Sequence, residues 1–173
     1  MSGQVLSALW PTNKLLCEMK NMPSEQKLDK AHWEKLIPAR QEMFFGSRSA
    51  NPEDICSSIS HGALVLGAKS CSVQRFDDWW FVSSEDDWIN ATNKLGINES
   101  NIFNGLHAFP EAGQNWHRSE VMSFLFSSAL ATHSKSTSNL IKGTGHDFNE
   151  FNAHLKKVRH FCRVIGFKFK PIT

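Results

Sequence analysis

The longest nearly continuous apolar run in the sequence extends from Ser119 to Thr132. At about 100° per residue, its apolar side chains cover most of a helical circumference and leave only a narrow polar stripe. A helix with this pattern must be buried on most sides, and the run is too short to span a bilayer. The pattern therefore predicts one mostly buried helix over 119–132 in the core of a soluble domain.

A second helical pattern lies near the C-terminal end. Asp147 and Glu150 match a D-x-x-E capping box, and apolar residues follow at a spacing of about 3.6. These residues are Phe148, Phe151, Leu155, Val158, Cys162 and Ile165. The pattern predicts a helix that begins at Asp147 and ends at Gly166. An edge strand over 167–170 is expected next, because its alternating lysines discourage pairing between sheets.

Strand patterns surround the acidic pair Asp77-Asp78. Residues 71–76 and 79–83 alternate as strands do, so they predict a β-hairpin that turns at the two aspartates. Successive side chains of a strand point to opposite faces. The pair Trp79-Trp80 therefore places an aromatic ring on each face, and the second strand is predicted to be covered on both sides.

Helix-start signals precede and follow this hairpin. Asn51-Pro52-Glu53-Asp54 combines a cap, a proline at the first helical position and two acids, and it predicts a helix to about Ser60. A buried strand over 63–66 is expected after it. Ser84 to Asp87 predicts a further helix start, and short strands are expected around 102–103 and over 139–142.

Helices and antiparallel strands are mixed in this sequence without regular βαβ alternation, which indicates the α+β class. We expect an antiparallel sheet of about four to five strands packed with about five helices. The 173 residues are enough for a single domain over 1–173 with a sizeable core. With 40% hydrophobic and 21% charged residues, the composition is that of a folded protein rather than a disordered one.

The cysteines and the N-terminus favour a cytoplasmic location. The four cysteines are scattered without CxxC spacing, as is typical of reduced thiols in a protein core. The first residues match no secretory signal, and no membrane association is expected. The net charge of +2 by itself implies no polyanionic partner, but the middle of the chain is acidic and the end is basic.

The loop before the central apolar run contains the densest group of side chains that can bind or catalyse. Arg118 can hold an anionic group with Asn115 and Trp116 beside it, while His117 and Glu120 are the candidate acid and base. An ordinary polar loop is the alternative. The pairs His117/Glu120 and Glu150/His154 have spacings that suit metal ligands, but they match no metal motif, so no metal and no cofactor is predicted.

Two further surfaces are candidates for macromolecular contact. The hairpin supplies Asp77, Asp78, Trp79 and Trp80, and the last helix supplies Lys156, Lys157, Arg159 and Arg163. A basic helix face can neutralise phosphates, so nucleic-acid binding is possible but not favoured. Exposed tryptophans often dominate protein interfaces.

The leading hypothesis is a protein that acts by macromolecular interaction, either with a protein partner or as a homo-oligomer. The sequence contains no nucleophile motif and no phosphate-binding glycine loop, and we expect no catalysis. A small-ligand protein or enzyme with an anion pocket at the 107–120 loop is the first alternative. Nucleic-acid binding through the basic last helix is the second.

Overall fold

The computed structural model describes residues 30–46, 48–91, 99–113, 116–135, 137–158 and 161–172. The chain divides into two compact units, Met1–Ala50 and Asn51–Thr173. The single-domain organisation stays a prediction. The described part of the first unit contains α1 (Lys30–Ala39) and α2 (Gln41–Phe45). The Gln41 side chain donates to the Pro38 carbonyl oxygen at 3.2 Å and accepts from the Ala50 amide at 2.9 Å, so it fixes the chain after α2.

The second unit contains a five-stranded antiparallel sheet with helices, and the predicted α+β class is confirmed. Its helices are α3 (Pro52–Val65), α4 (Trp88–Ala91), α5 (Glu99–Phe103), α6 (Glu120–Leu125) and α7 (Gly145–Leu155), with a 3-10 turn at Pro110–Ala112. Its strands are β1 (Ser72–Phe76), β2 (Trp79–Ser84), β3 (Ser127–Ser134), β4 (Thr137–Lys142) and β5 (Arg163–Phe169).

The strand order is β1-β2-β5-β3-β4, which makes β5 the central strand and leaves β1 and β4 at the edges. The last strand was expected at an edge because of its lysines, and that expectation is wrong. Residues 163–167 are all buried, because β5 pairs with β2 on one side and with β3 on the other. Lys168 stays in this strand because three carboxylates surround its ammonium group.

The core on one face of the sheet is aromatic. Trp79, Phe81 and Phe151 are fully buried together, and their ring centroids lie 5.7 to 6.0 Å apart. Phe151 comes from α7, which therefore covers this face. Helix α3 contacts β1 and β2, and none of its residues belongs to the α7 cluster. The prediction that β2 is covered on both sides is consistent with this arrangement.

The apolar run 119–132 is not one helix. Helix α6 ends at Leu125, and β3 begins two residues later, at Ser127. A strand that is buried on both faces is also a continuous apolar run, so helical periodicity alone does not separate the two structures. Pairing decides between them here, because β3 lies between β4 and β5 and hydrogen-bonds to both.

The last predicted helix is also too long. It begins at Gly145, two residues earlier than expected, and it ends at Leu155. Thr144 is its N-cap, and Asp147, the third residue of the helix, completes the capping box. Residues 163–166, which the apolar stripe placed in the helix, belong to β5. Gly166 therefore lies within the central strand and does not end a helix.

Helix α3 begins as predicted and ends later than predicted. The Asn51 side chain accepts from the Asp54 amide at 2.8 Å and so caps the helix. The helix continues to Val65, so the strand expected over 63–66 is wrong. A Schellman motif at Gly67, whose φ is +93°, ends the helix: the Gly67 amide donates to the Leu64 carbonyl oxygen and the Ala68 amide to that of Ala63.

Local turn signals gave correct predictions elsewhere. The hairpin turns at Asp77-Asp78, and Asp77 has the left-handed φ of +55° that aspartate tolerates. Trp88 and Ile89 are buried in α4, and β4 includes the strand predicted over 139–142. Residues 102–103, expected as a strand, lie in helix α5.

Candidate functional site

The loop before α6 is a narrow antiparallel ladder. The Phe109 amide donates to the Trp116 carbonyl oxygen at 2.7 Å, and the Arg118 amide donates to that of His107 at 2.9 Å. Ala108 and His117 form the bridge between these two hydrogen bonds. The ladder holds Trp116, His117 and Arg118 in an extended conformation, so their side chains alternate in direction.

Arg118 and Glu120 form a buried ion pair inside the protein. The Arg118 Nε donates to Glu120 Oε2 at 3.0 Å, and Nη2 donates to the other carboxylate oxygen. The side chains are only 9% and 3% exposed. Trp88 Nε1 also donates to Glu120 at 3.3 Å, and the guanidinium lies 5.7 Å from the Phe109 ring centroid. A neighbouring carboxylate thus already occupies the group predicted to hold an anion.

The other residues predicted for this loop are less constrained. His117 is partly buried, and burial lowers its pKa, so the neutral imidazole is favoured near neutral pH. The Trp116 ring lies 6.0 Å from that of His61. Asn115 lies outside the described residues. The structure therefore brings Arg118 and Glu120 together, but as partners beneath the surface.

At the hairpin tip, Asp77 and Asp78 are exposed to solvent, but Trp79 is buried. The side chains of Asp77 and Asp78 are 80% and 67% exposed. Trp79 is fully buried under α7, so it belongs to the core rather than to a contact surface. Trp80 points to the other face and is partly buried, and the Arg75 guanidinium lies 5.3 Å from its ring centroid.

The acidic tip is tied to the sheet and to α7 by two cationic or basic groups. Lys168 Nζ contacts Asp78 at 3.5 Å and also contacts Asp147 and Glu150 of α7. Burial alone would lower the pKa of Lys168, but these carboxylates hold it above its ordinary value. His154 Nε2 lies 3.4 Å from Asp77, and its ring stacks on Phe76 at 5.8 Å. These contacts fix the position of the turn.

The predicted basic face of the last helix does not form as expected. Arg163 is fully buried in β5, and its guanidinium donates to Asp87 at 2.8 Å, to Glu99 at 2.8 Å and to Thr132 at 3.0 Å. Lys156 and Lys157 are exposed after the end of α7, and Arg159 lies outside the described residues. Arg163 was assigned to the helix face because its apolar neighbours fit a helical stripe as well as a buried strand.

Sequence reasoning missed the exposed side of β1. Val73 is 45% exposed on this edge strand, and Leu64 is 47% exposed near the end of α3, the helix that contacts β1. Among the described residues, β1 pairs with β2 alone. The alternation in Ser72–Phe76 gave a signal for a strand, but its edge position depends on the strand order.

The described cysteines do not suit nucleophilic chemistry. Burial, with a smaller effect of Glu53, raises the pKa of Cys56 to about 12. Burial, followed by Asp86, also raises the pKa of Cys71. A thiolate is the reactive form, so both groups are held in their unreactive state.

Within the ranges that the structure describes, no group of three or more His, Cys, Asp or Glu side chains is placed to hold a metal ion. Nor does any described helix have the length and apolar character needed to cross a membrane. Comparison with protein-family models, curated protein sequences and solved structures gave no match.

Proposed function

We propose that this chain acts by macromolecular interaction and binds a protein partner along the outer edge of β1. The observation that carries the proposal is the position of β1 at the sheet edge, with Val73 exposed on it. An edge strand presents a row of backbone N–H and C=O groups that can pair with another extended segment. The binding mode would be the addition of a strand to the sheet.

The residues of β1 favour pairing of this edge with another strand over protection of the edge from such pairing. Natural edge strands are commonly blunted by lysine or proline. The strand Ser72–Phe76 contains neither, and Arg75 is its one charged residue. The Arg75 guanidinium is held over Trp80, and its Nε donates to the Asp77 carbonyl oxygen at 3.0 Å. The charge therefore lies along its own hairpin, and within the described residues β1 pairs with β2 alone.

Apolar and aromatic side chains around this edge support the same proposal. Among the described residues, three large hydrophobic side chains are exposed, and Val73 and Leu64 are two of them. Trp80 and Arg75 are of residue types that are enriched at protein interfaces. A partner strand at the edge of β1 would remove Val73 from water.

The alternatives have weaker support. An anion pocket at the 107–120 loop would need Arg118, which already pairs with Glu120 beneath the surface. Nucleic-acid binding through the last helix would need Arg163, which is fully buried.

The cysteines favour the cytoplasm as the compartment of this interaction. Cys56, Cys71 and Cys162 are free thiols, and thiols stay reduced in that compartment.

The Val73→Lys variant tests the proposal, with Asn139→Lys on the opposite edge strand β4 as its matched control. Both positions are exposed in an edge strand, so both variants are expected to fold. The tagged chain is used in two capture experiments. One captures proteins from an extract of its source cells, and the other captures the untagged chain. We expect the wild type and Asn139→Lys to retain the same proteins, which Val73→Lys loses. Equal retention by Val73→Lys would contradict binding at β1.

A further inference from the structure

We infer that the partner of the β1 edge is a second copy of this chain, with the two β1 strands antiparallel across a two-fold axis. This inference rests on the proposed function. Five strands from each copy would then form one continuous sheet. A two-fold interface uses the same patch on both subunits, so the patch must be complementary to itself.

The charges at the two ends of β1 meet this requirement. Asp77 and Asp78 lie just after the strand and are mostly exposed, while Lys69 lies three residues before its first residue, Ser72, and is also exposed. Antiparallel pairing would bring the acidic tip of each copy beside Lys69 of the other. Parallel pairing would place the two acidic tips together, and like charges that face each other are destabilising.

The middle of β1 is also compatible with self-pairing. If the two-fold axis passes at Val73, Val73 lies opposite Val73 of the second copy. If it passes at Gln74, Val73 lies opposite Arg75 of the second copy. Neither register places Arg75 opposite itself. If the first register is continued beyond the strand ends, Asp77 lies towards Lys69 of the second copy, and in the second register Asp78 lies towards Ser70, beside Lys69. Both arrangements place Val73 against the second copy and the acidic turn near Lys69.

Charge exchange tests this arrangement directly. Lys69→Glu and Asp78→Lys are made singly and together, and light scattering after size exclusion gives the molecular mass as a function of protein concentration. Asp78 is chosen over Asp77, because Asp77 has a left-handed backbone that lysine adopts poorly. Each contact occurs twice in a two-fold dimer, so we expect each single reversal to raise the dissociation constant by about tenfold. The double variant should dimerise more tightly than either single variant, and comparison with Asp78→Lys alone accounts for the Asp78–Lys168 contact that both variants lose.

Each other outcome overturns a defined part of the inference. A wild-type chain that stays monomeric at every concentration rules out the second copy as partner, while capture that depends on Val73 would still support the proposed function. A dimer that Val73→Lys leaves intact has its interface elsewhere. A dimer that Val73→Lys dissociates, but that does not respond to the two charge reversals, contradicts the antiparallel arrangement.

Discussion

Gly166 shows how a residue without a side chain in the central strand leaves room for the aromatic core on one face of the sheet. It pairs with Phe81 of β2 and Ala131 of β3. A Cβ atom at Gly166 would lie 2.7 Å from Phe151 Cε2 and 2.8 Å from Phe81 Cε1. The two aromatic rings therefore occupy the space in which a side chain would lie.

Gly166→Ala is expected to lower the free energy of unfolding by about 1 to 3 kcal/mol, because the added methyl group overpacks this core. Gly145→Ala is the control, since a Cβ atom there meets nothing within 4 Å. Urea unfolding measures both changes. Equal stability of the two variants would mean that the rings above Gly166 move aside at little cost.

Arg163 shows why a basic residue in the sequence need not be a surface residue. Its guanidinium lies between Asp87 and Glu99, and Ser134 and Asn90 complete the hydrogen bonding of Asp87. Burial alone would raise the pKa of Asp87, but the hydrogen bonds from Arg163 and Ser134 lower it overall. The cluster is fully paired, so removal of its cation leaves two carboxylates uncompensated.

Arg163→Met is expected to cost about 3 to 5 kcal/mol of unfolding free energy, because it breaks a buried ion pair from one side. Arg163→Lys keeps the charge and should lose less. Lys170→Ala, at an exposed position, should change stability by no more than about 0.5 kcal/mol. Denaturant titration of the three variants checks this order, and a stable Arg163→Met would show that the cluster contributes little.

At the scale of elements, local signals were sufficient where a cap or a turn fixes the backbone. Asn51 predicted the start of α3, and Asp77-Asp78 predicted the hairpin turn. Periodicity failed in the two apolar runs that contain β3 and β5. Both strands are central in the sheet and have paired neighbours on each side. When an apolar run is buried on all sides, its hydrophobic pattern does not distinguish a helix from a strand. Pairing with other strands decides which structure forms, and those strands lie far away in the sequence.

The start of α7 provides a prediction about acid stability. The Thr144 hydroxyl, then the Thr144 amide and then Lys168 lower the pKa of Asp147 from 3.8 to about 2. A carboxylate with a lowered pKa contributes stability above its ordinary pKa, and the contribution is lost as the pH falls towards the lowered value. We therefore expect Asp147→Asn to be less stable than the wild type at pH 7, and the difference to shrink as the pH falls from about 4 to 2.

Thermal unfolding of both proteins across this pH range measures the effect. Asn149→Asp, on the exposed side of the same helix, is the control for a one-unit change of charge, here of opposite sign, at a carboxylate without the Thr144 cap. A difference between Asp147→Asn and the wild type that is the same at pH 7 and pH 2 would show that ionisation of Asp147 does not stabilise the helix start.

At the scale of the whole molecule, the strand order decides which surfaces are available. The sequence identified the hairpin as a candidate contact region, and Asp77, Asp78 and Trp80 remain partly or mostly accessible there. It did not indicate that β1 is an edge or that β5, with its lysines, is central. Those features depend on pairing between segments that are far apart in the chain, such as β2 with β5. Val73 was therefore overlooked.

Amide hydrogen exchange at low and high protein concentration reports directly on pairing of the β1 edge with a second copy. We expect the amides of β1 that point away from β2 to exchange more slowly as the concentration rises. The edge strand β4 should not respond, and neither should β1 in Val73→Lys. Exchange of the β1 amides at the same rate at both concentrations would contradict pairing of this edge with a second copy.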